Sequence, residues 1–265
     1  MKPLIIIRGG GDLASGVALR LYRVGFQVAI LELDKPLAVR RSVSFSEAVY
    51  EGVQTVEGVT ARLVSADQFQ VTLEAGEIPI LVDPSANILK NQFLTSPAST
   101  FLVDARLLKQ EPEPLPGDVA LHIGLGPGFT AGADCHAVVE TQRGHTLGRV
   151  HWEGRALMDS RQPDGDPRRV LRSPSFGTLE AMKAIGDSCK EGEVIAKVNG
   201  SPVTSPFDGI LRGLIHPRVE VTEGMKIGDV DARGDLSLTR LVSDKALAVA
   251  GGVLEAVYIK LKGME

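Results

Sequence analysis

Four consecutive apolar residues, 4–7, run into three glycines, Gly9, Gly10 and Gly11. An apolar stripe at helical spacing follows, made of Leu13, Val17, Leu21 and Val24. The run reads as a buried strand and the stripe as an amphipathic helix over 13–24, ended by Gly25. A second apolar run over 26–33 completes a βαβ unit. Further along, the pattern predicts a short helix over 46–50, a strand over 59–64, a short helix over 66–75 and buried strands over 78–82 and 100–103. Three apolar runs end in aspartate, at Asp34, Asp83 and Asp104. Ligands of parallel α/β sheets bind beyond the carboxyl ends of strands. Each of these carboxylates therefore reads either as a ligand contact or as a cap or turn residue.

The second half has a different texture. Residues 111–117 alternate proline with other residues and predict a linker, because proline cannot continue a helix. A strand is expected over 118–123, then a second glycine-rich loop, then a hairpin over 137–151 turning near Arg143 and Gly144. The polar stretch 159–169 reads as a loop and module boundary. Within 186–230 the pattern Glu191-Gly192-x-x-Ile195-x-x-Val198 recurs 32 residues later as Glu223-Gly224-x-x-Ile227-x-x-Val230. The repeat resembles a biotinyl/lipoyl-like barrel-sandwich module. The tip where such a module carries its modified lysine is here Asn199-Gly200-Ser201-Pro202, and Lys197 lies on the preceding strand. A structural role is therefore expected rather than a swinging arm. A final helix is expected over 243–261, capped by Ser243. Gly251 and Gly252 inside it each weaken it by roughly 1 kcal/mol relative to alanine, and would allow another backbone to approach closely.

The predicted class is α/β. A Rossmann-like parallel domain spans 1–110. A glycine-rich loop and hairpin connector, 111–168, packs on it. A small β barrel-sandwich module spans 169–240, and a C-terminal helix, 241–265, returns to the first domain.

Charge and composition narrow the function. The net charge is −4 with no block of lysine or arginine, which gives nucleic-acid binding no electrostatic support. Cys135 and Cys189 form neither a disulfide framework nor a zinc pattern, which suits a reducing cytoplasm. The apolar run before Arg8 is too short for a signal peptide, and no run is long enough to span a membrane. A cytoplasmic protein that binds neither nucleic acid nor membrane is expected; a homo-oligomer is left open.

Three constellations carry candidate chemistry. Gly9-x-Gly11-x-x-Ala14 between strand and helix matches a dinucleotide fingerprint, with Glu32 and Asp34 where the acidic residue should follow. This geometry suits a phosphate or another anion, although Asp12 would repel it unless it caps the helix or binds a cation. Arg40 and Arg41 read either as anion contacts or as solvated surface residues. Gly124, Gly126 and Gly128 open a second loop containing Thr130 and the reactive trio Asp134, Cys135 and His136. A thiol beside imidazole can be activated as thiolate, yet neighbours on a strand point to opposite faces. A metal held by Cys135, His136 and His145 lacks a recognised spacing, and no metal is expected.

Residues 9–16, 40–52, 124–136 and 225–231 together resemble the YqeB-type accessory proteins of the selenium-dependent molybdenum hydroxylase system. The N-terminal half is similar in character to the Rossmann-like part of xanthine dehydrogenase accessory proteins. The resemblance implies a maturation factor for a molybdenum hydroxylase client. Its small anionic ligand would be a nucleotide, NAD(P) or similar, or the pterin-phosphate part of a molybdenum cofactor, bound at Gly9–Gly11. Cys135 would handle sulfur or selenium, with His136 and Asp134 beside it. An NAD(P)-dependent oxidoreductase and a non-catalytic scaffold that docks the client are the alternatives.

Overall fold

The computed structural model describes residues 3–91, 94–158 and 165–264. Most of the loop expected over 159–169 lies outside them. The first part of the chain runs β1 (Leu4–Arg8), α1 (Asp12–Arg23), β2 (Gln27–Glu32), α2 (Ala48–Glu51), β3 (Val53–Val56), β4 (Val59–Leu63), α3 (Phe69–Glu74), β5 (Ile78–Val82), β6 (Thr100–Asp104), β7 (Leu121–Leu125), β8 (Ala137–Val139) and β9 (Val150–His151). These strands form one sheet in the order β3-β4-β5-β2-β1-β6-β7-β8-β9. The seven inner strands are parallel, and β3 and β9 close the two edges antiparallel. The α/β class read from the sequence is thus the class observed. Because β1 sits between β2 and β6, the chain reverses its winding at the carboxyl end of β1, where a crevice is available for ligands.

Both faces of the sheet are covered, which is why its strands read as continuous apolar runs rather than alternating ones. Ile5, Ile7, Phe101 and Val103 face Val17 of α1 and Val249 and Val253 of the last helix. Ile6, Ala29, Leu31 and Leu102 face Phe69 and Leu73 of α3 and Ile88 and Leu89 of the β5–β6 connection. The last helix, α4 (Asp244–Lys262), is capped by Ser243, whose Oγ accepts the Ala246 N–H at 3.1 Å. A Cβ on Gly16 of α1 would come within 2.7 Å of Ala246 Cβ, so the two helices cross in close contact there. Gly252 lies against the Gly148 carbonyl, whereas Gly251 has open space around it.

Eight short strands build the second part: β10 (Val170–Arg172), β11 (Gly177–Ala181), β12 (Ser188–Cys189), β13 (Val194–Val198), β14 (Ser201–Thr204), β15 (Gly209–Leu214), β16 (Glu220–Val221) and β17 (Lys226–Asp231). They pair as two four-stranded antiparallel sheets, β10-β17-β15-β12 and β14-β13-β11-β16, which enclose one core. The repeat reaches well beyond its sequence signature. A shift of 32 residues carries β10, β11, β12 and β13 onto β14, β15, β16 and β17, and so exchanges one sheet for the other. The turns obey the same rule. Gly192 N–H donates to Ser205 O at 2.9 Å, and its counterpart Gly224 N–H donates to Ser173 O, the counterpart of Ser205, at 2.8 Å. Ile195, Val198, Ile227 and Val230 are all fully buried.

Some boundaries differ from those expected. The strand anticipated over 118–123 starts at Leu121, because the backbone leaves the linker only there. The edge strand β3 turns into β4 through Glu57 and Gly58, both with positive φ, in a hairpin with too little apolar contrast to announce itself. The hairpin tip at Asn199 and Gly200 has positive φ at both residues, and Ser201 and Pro202 already belong to β14. Among the described residues no helix is long and apolar enough to cross a membrane.

The two parts meet along residues 39–51. Arg41 Nε donates to Leu214 O at 2.7 Å, Tyr50 stacks on His216 at 3.8 Å between ring centres, and a Cβ on Gly213 would strike Val39 O at 2.8 Å.

Candidate functional site

The three glycines after β1 serve three different ends. Gly9 adopts φ +95°, a conformation that favours glycine. Gly10 is wedged: an added Cβ would lie 3.0 Å from Ser46 N, whose N–H donates to Gly10 O at 2.9 Å. Gly11 has neither reason. Its φ of −67° and ψ of −175° suit any residue, and a Cβ there would meet nothing within 4 Å. Gly11 is also the N-cap of α1, and no side chain caps that helix. The first-turn N–H groups of a helix need partners and carry partial positive charge. Here no side chain caps them, and the space beside Gly11 is open.

The acid at the end of β2 turns inward. Glu32 Oε2 accepts the Gly10 N–H at 2.6 Å and Oε1 accepts the Leu33 N–H at 2.7 Å. Burial raises its pKa above the ordinary carboxylate value, against the lowering effect of those two bonds. Asp34 lies beyond the strand and is exposed. Of the other strand-end aspartates, Asp83 accepts the Ile88 N–H at 2.8 Å and caps a short turn, while Asp104 pairs with Arg106 at 2.7 Å.

Arg40 and Arg41 are neither solvated nor open to a phosphate, because protein carbonyls already occupy them. Arg40 is buried, bonds Leu238 O and Leu241 O at 3.1 and 3.0 Å, and meets Asp12 at 3.3 Å. Arg41 pairs with Glu47 and bonds Leu214 O. Asp12 is thereby partly neutralised, which lessens its conflict with an anion. Across the seam, Arg169 and Arg212 converge on the buried Asp229 at 3.0 and 2.6 Å. Lys226 sits in the field of Asp229 and Asp12. It reaches solvent, yet enough protein surrounds it for desolvation to lower its pKa, and it makes no direct bond or ion pair among the described residues. A cationic group without a direct partner thus stands near the uncapped end of α1.

The second glycine loop lies two strands away, after β7. It packs largely on itself. Gly124 is covered by the Phe129 ring, Gly128 is pressed on Leu108 O, and Gly126 has φ +85°. Thr130 N–H donates to Asp134 Oδ2 at 2.9 Å, and Thr130 Oγ1 accepts from Arg155 at 2.6 Å. The loop walls a cavity of about 670 Å³ with Glu113, Leu115, Asp118, His122, Cys135 and His136 among its lining residues. None of Gly9, Gly10 and Gly11 lines it.

Cys135 and His136 do not form a dyad. The thiol donates to Ala137 O at 3.3 Å, and burial pushes its pKa up to about 11. The His136 ring instead accepts the His122 backbone N–H on Nδ1 at 2.9 Å. The three-residue metal group of Cys135, His136 and His145 does not assemble. Among the described residues only Glu47, Glu51 and His216 bring ligand atoms within 4.8 Å of one another. In that group His216 Nδ1 accepts the Arg218 N–H at 3.1 Å, so its Nε2 bears the proton and faces Glu51 as a donor rather than as a metal ligand.

Sequence reasoning missed Arg212 and His122, and it placed Lys226 and Asp229 in the stretch 225–231 that carries the resemblance without giving them a role. For Lys226 a signal existed, since its partner in the repeat is Val194. His122 stood inside an apolar strand, where a lone histidine more often packs than acts.

The sheet and the open loop define an α/β protein with a largely parallel sheet, a ligand-compatible switch point and an attached pair of antiparallel sheets. The chain is similar to "Uncharacterized protein YqeB" of Escherichia coli (strain K12), with 46% identity over 272 aligned residues covering 98% of this chain. The chain spans about half (49%) of that relative's length. No protein-family model matches. Among solved structures, an aspartoacylase family protein from Mesorhizobium loti shares 10% identity over 86% of this chain and 84% of its own, with a TM-score of 0.25. The product-bound ectoine utilization protein EutE (DoeB) from Ruegeria pomeroyi shares 11% identity over 86% and 85%, with a TM-score of 0.30. Scores this low establish no common fold.

Proposed function

We propose that the chain is a ligand-binding maturation factor for a molybdenum hydroxylase, taking the phosphate of a nucleotide or of a pterin cofactor at the amino end of α1. One observation carries the reading. Gly11 has an ordinary backbone, empty surroundings and an uncapped helix behind it, so closeness to a bound group is the remaining reason for a glycine there. Lys226 supplies a charge to neutralise the anion, and the Arg40 ion pair offsets the charge of Asp12. The selenium and client-enzyme parts of the proposal rest on the family resemblance alone.

Cys135 belongs to the proposal as the candidate carrier of sulfur or selenium. Its place in a cavity wall beside His136 speaks for that role. Its protonated, buried thiol speaks against an already activated nucleophile. The oxidoreductase alternative is weakened by Glu32, both of whose oxygens hold backbone N–H groups instead of awaiting a ribose. The paired β sheets, with no lysine at the Asn199–Gly200 tip, would serve docking and closure of the site rather than carriage.

The test is a thermal-shift series with NADP, ATP, CTP, GTP and inorganic phosphate on the intact chain and on Gly11→Val. Valine fits the Gly11 backbone and fills only open space, so the variant should fold normally. A ligand at a hundred times its Kd stabilises by about 2.7 kcal/mol. A shift that is present in the wild type, absent in Gly11→Val and weakened in Lys226→Ala supports the site. No shift with any of these probes moves the reading to a scaffold.

A further inference from the structure

We propose that the cavity beneath the second glycine loop is a separate binding site, for a nitrogen heterocycle that presents an N–H donor beside a carbonyl acceptor. The site is distinct from the anion site at α1 and does not rest on it.

His122 lines this cavity, is 4% exposed, and its Nε2 is buried with no partner among the described residues. Buried polar atoms are rarely left unpaired. The ring packs edge-on against Phe129, and the Asp134 backbone carbonyl favours an N–H turned toward it. With Nε2 unpaired, that N–H is on Nδ1 and Nε2 is a lone pair. Burial lowers the pKa of His122 to about 4, so at neutral pH the ring stays uncharged and the lone pair stays available.

His136 is the complement. Its Nδ1 accepts the His122 N–H, which places its own proton on Nε2, and the side chain is exposed in the cavity wall. An acceptor and a donor thus line one cavity wall, and their two residues are tied together by the bond from the His122 backbone to the His136 ring. A lactam edge, with N–H next to C=O, satisfies both.

The rest of the wall narrows the class. Pro112, Pro114, Leu115 and Val119 give it an apolar side suited to the face of a ring. Asp118 and Asp134 disfavour an anion. Glu113 is already shared by Arg8 and Arg106, at 2.5 and 2.7 Å, which weakens its pull on a cation. The cavity residues form no group of metal ligands among the described residues.

Saturation-transfer NMR and calorimetry with hypoxanthine and uracil on the intact chain provide the test, with benzamidine as the cationic control. His122→Leu replaces an unpaired buried atom with an apolar one; His136→Asn keeps an acceptor for the His122 backbone N–H while removing the donor at Nε2, and so guards against a folding defect in the first variant. The expected result is binding of at least one lactam probe, weakened tenfold or more by either variant and unchanged by Lys226→Ala. Failure of both probes to bind, binding that neither variant weakens tenfold, or binding of benzamidine in their place overturns the proposal. Because Lys226→Ala reports on the anion site alone, either site can fail without the other.

Discussion

Glu32 closes on Gly10: the carboxylate that ends β2 takes the N–H of the middle loop glycine at 2.6 Å and holds the loop in shape from within the protein. The acid works on the backbone of the loop, and the loop presents Gly11 outward.

Glu32→Gln places an amide N–H₂ against one of two buried N–H donors. The expected cost is about 1–3 kcal/mol in urea unfolding at pH 7. The sign with pH follows from the raised folded-state pKa. Between the ordinary value and the raised one, the unfolded chain has lost the proton and the native state keeps it. Wild-type stability therefore falls, relative to the variant, as pH rises through that interval. A gap between the two proteins that widens with pH contradicts this account.

His122 behaves oppositely. Its folded-state pKa of about 4 lies below the ordinary histidine value of 6.5. The stability it contributes is complete above pH 6.5 and is lost as pH falls toward 4, by about 3 kcal/mol at most. His122→Leu should remove that part of the acid sensitivity, read as a flatter dependence of the urea midpoint between pH 4 and 6.5.

Cys135 should react slowly. A thiol raised from 9.0 to about 11 carries roughly 100-fold less thiolate at pH 7 than an unperturbed cysteine. Alkylation by iodoacetamide in the native protein, followed by mass spectrometry at Cys135, is expected to lag the urea-unfolded chain by at least that factor. Equal rates would mean an activated thiol.

The adjacent glycines of α4 should part company. Gly251→Ala meets open space and is expected to stabilise by about 0.5–1 kcal/mol through helix propensity. Gly252→Ala drives a methyl into the Gly148 carbonyl and is expected to destabilise by about 1–3 kcal/mol. Matched thermal melts of the two variants decide it.

Much of the frame could be read in the sequence. The run 4–7, the stripe from Leu13 and the run 26–33 became β1, α1 and β2, because strands buried on both faces leave a continuous apolar trace. The 32-residue repeat was legible in its glycines and isoleucines, while its strands were too short to show a period of two. The candidate site was legible only in part. Gly9, Gly10 and Gly11 looked equivalent in sequence, and only their dihedral angles and neighbours separate the one that faces open space from the two that hold the loop. Arg40 and Arg41 read either as anion contacts or as solvated surface residues, because a sequence does not reveal that Leu214, Leu238 and Leu241 bring their carbonyls to that spot. Lys226 gains meaning only from Asp12, far away along the chain, and His122 from the cavity that residues 112–136 fold around it.

The exchange of sheets by a 32-residue shift has a further consequence. Positions that match under it have taken on different characters: Lys226 answers to Val194, Arg212 to Glu180, Asp229 to Lys197 and His216 to Ala184. One copy has become an adaptor, whose His216 ring stacks on Tyr50 of the α/β domain while Arg212 and Asp229 pair beside it, and its twin carries no such ring. A body that is symmetric in its backbone is thus made one-handed by its side chains, and it can seat on its neighbour in a single orientation.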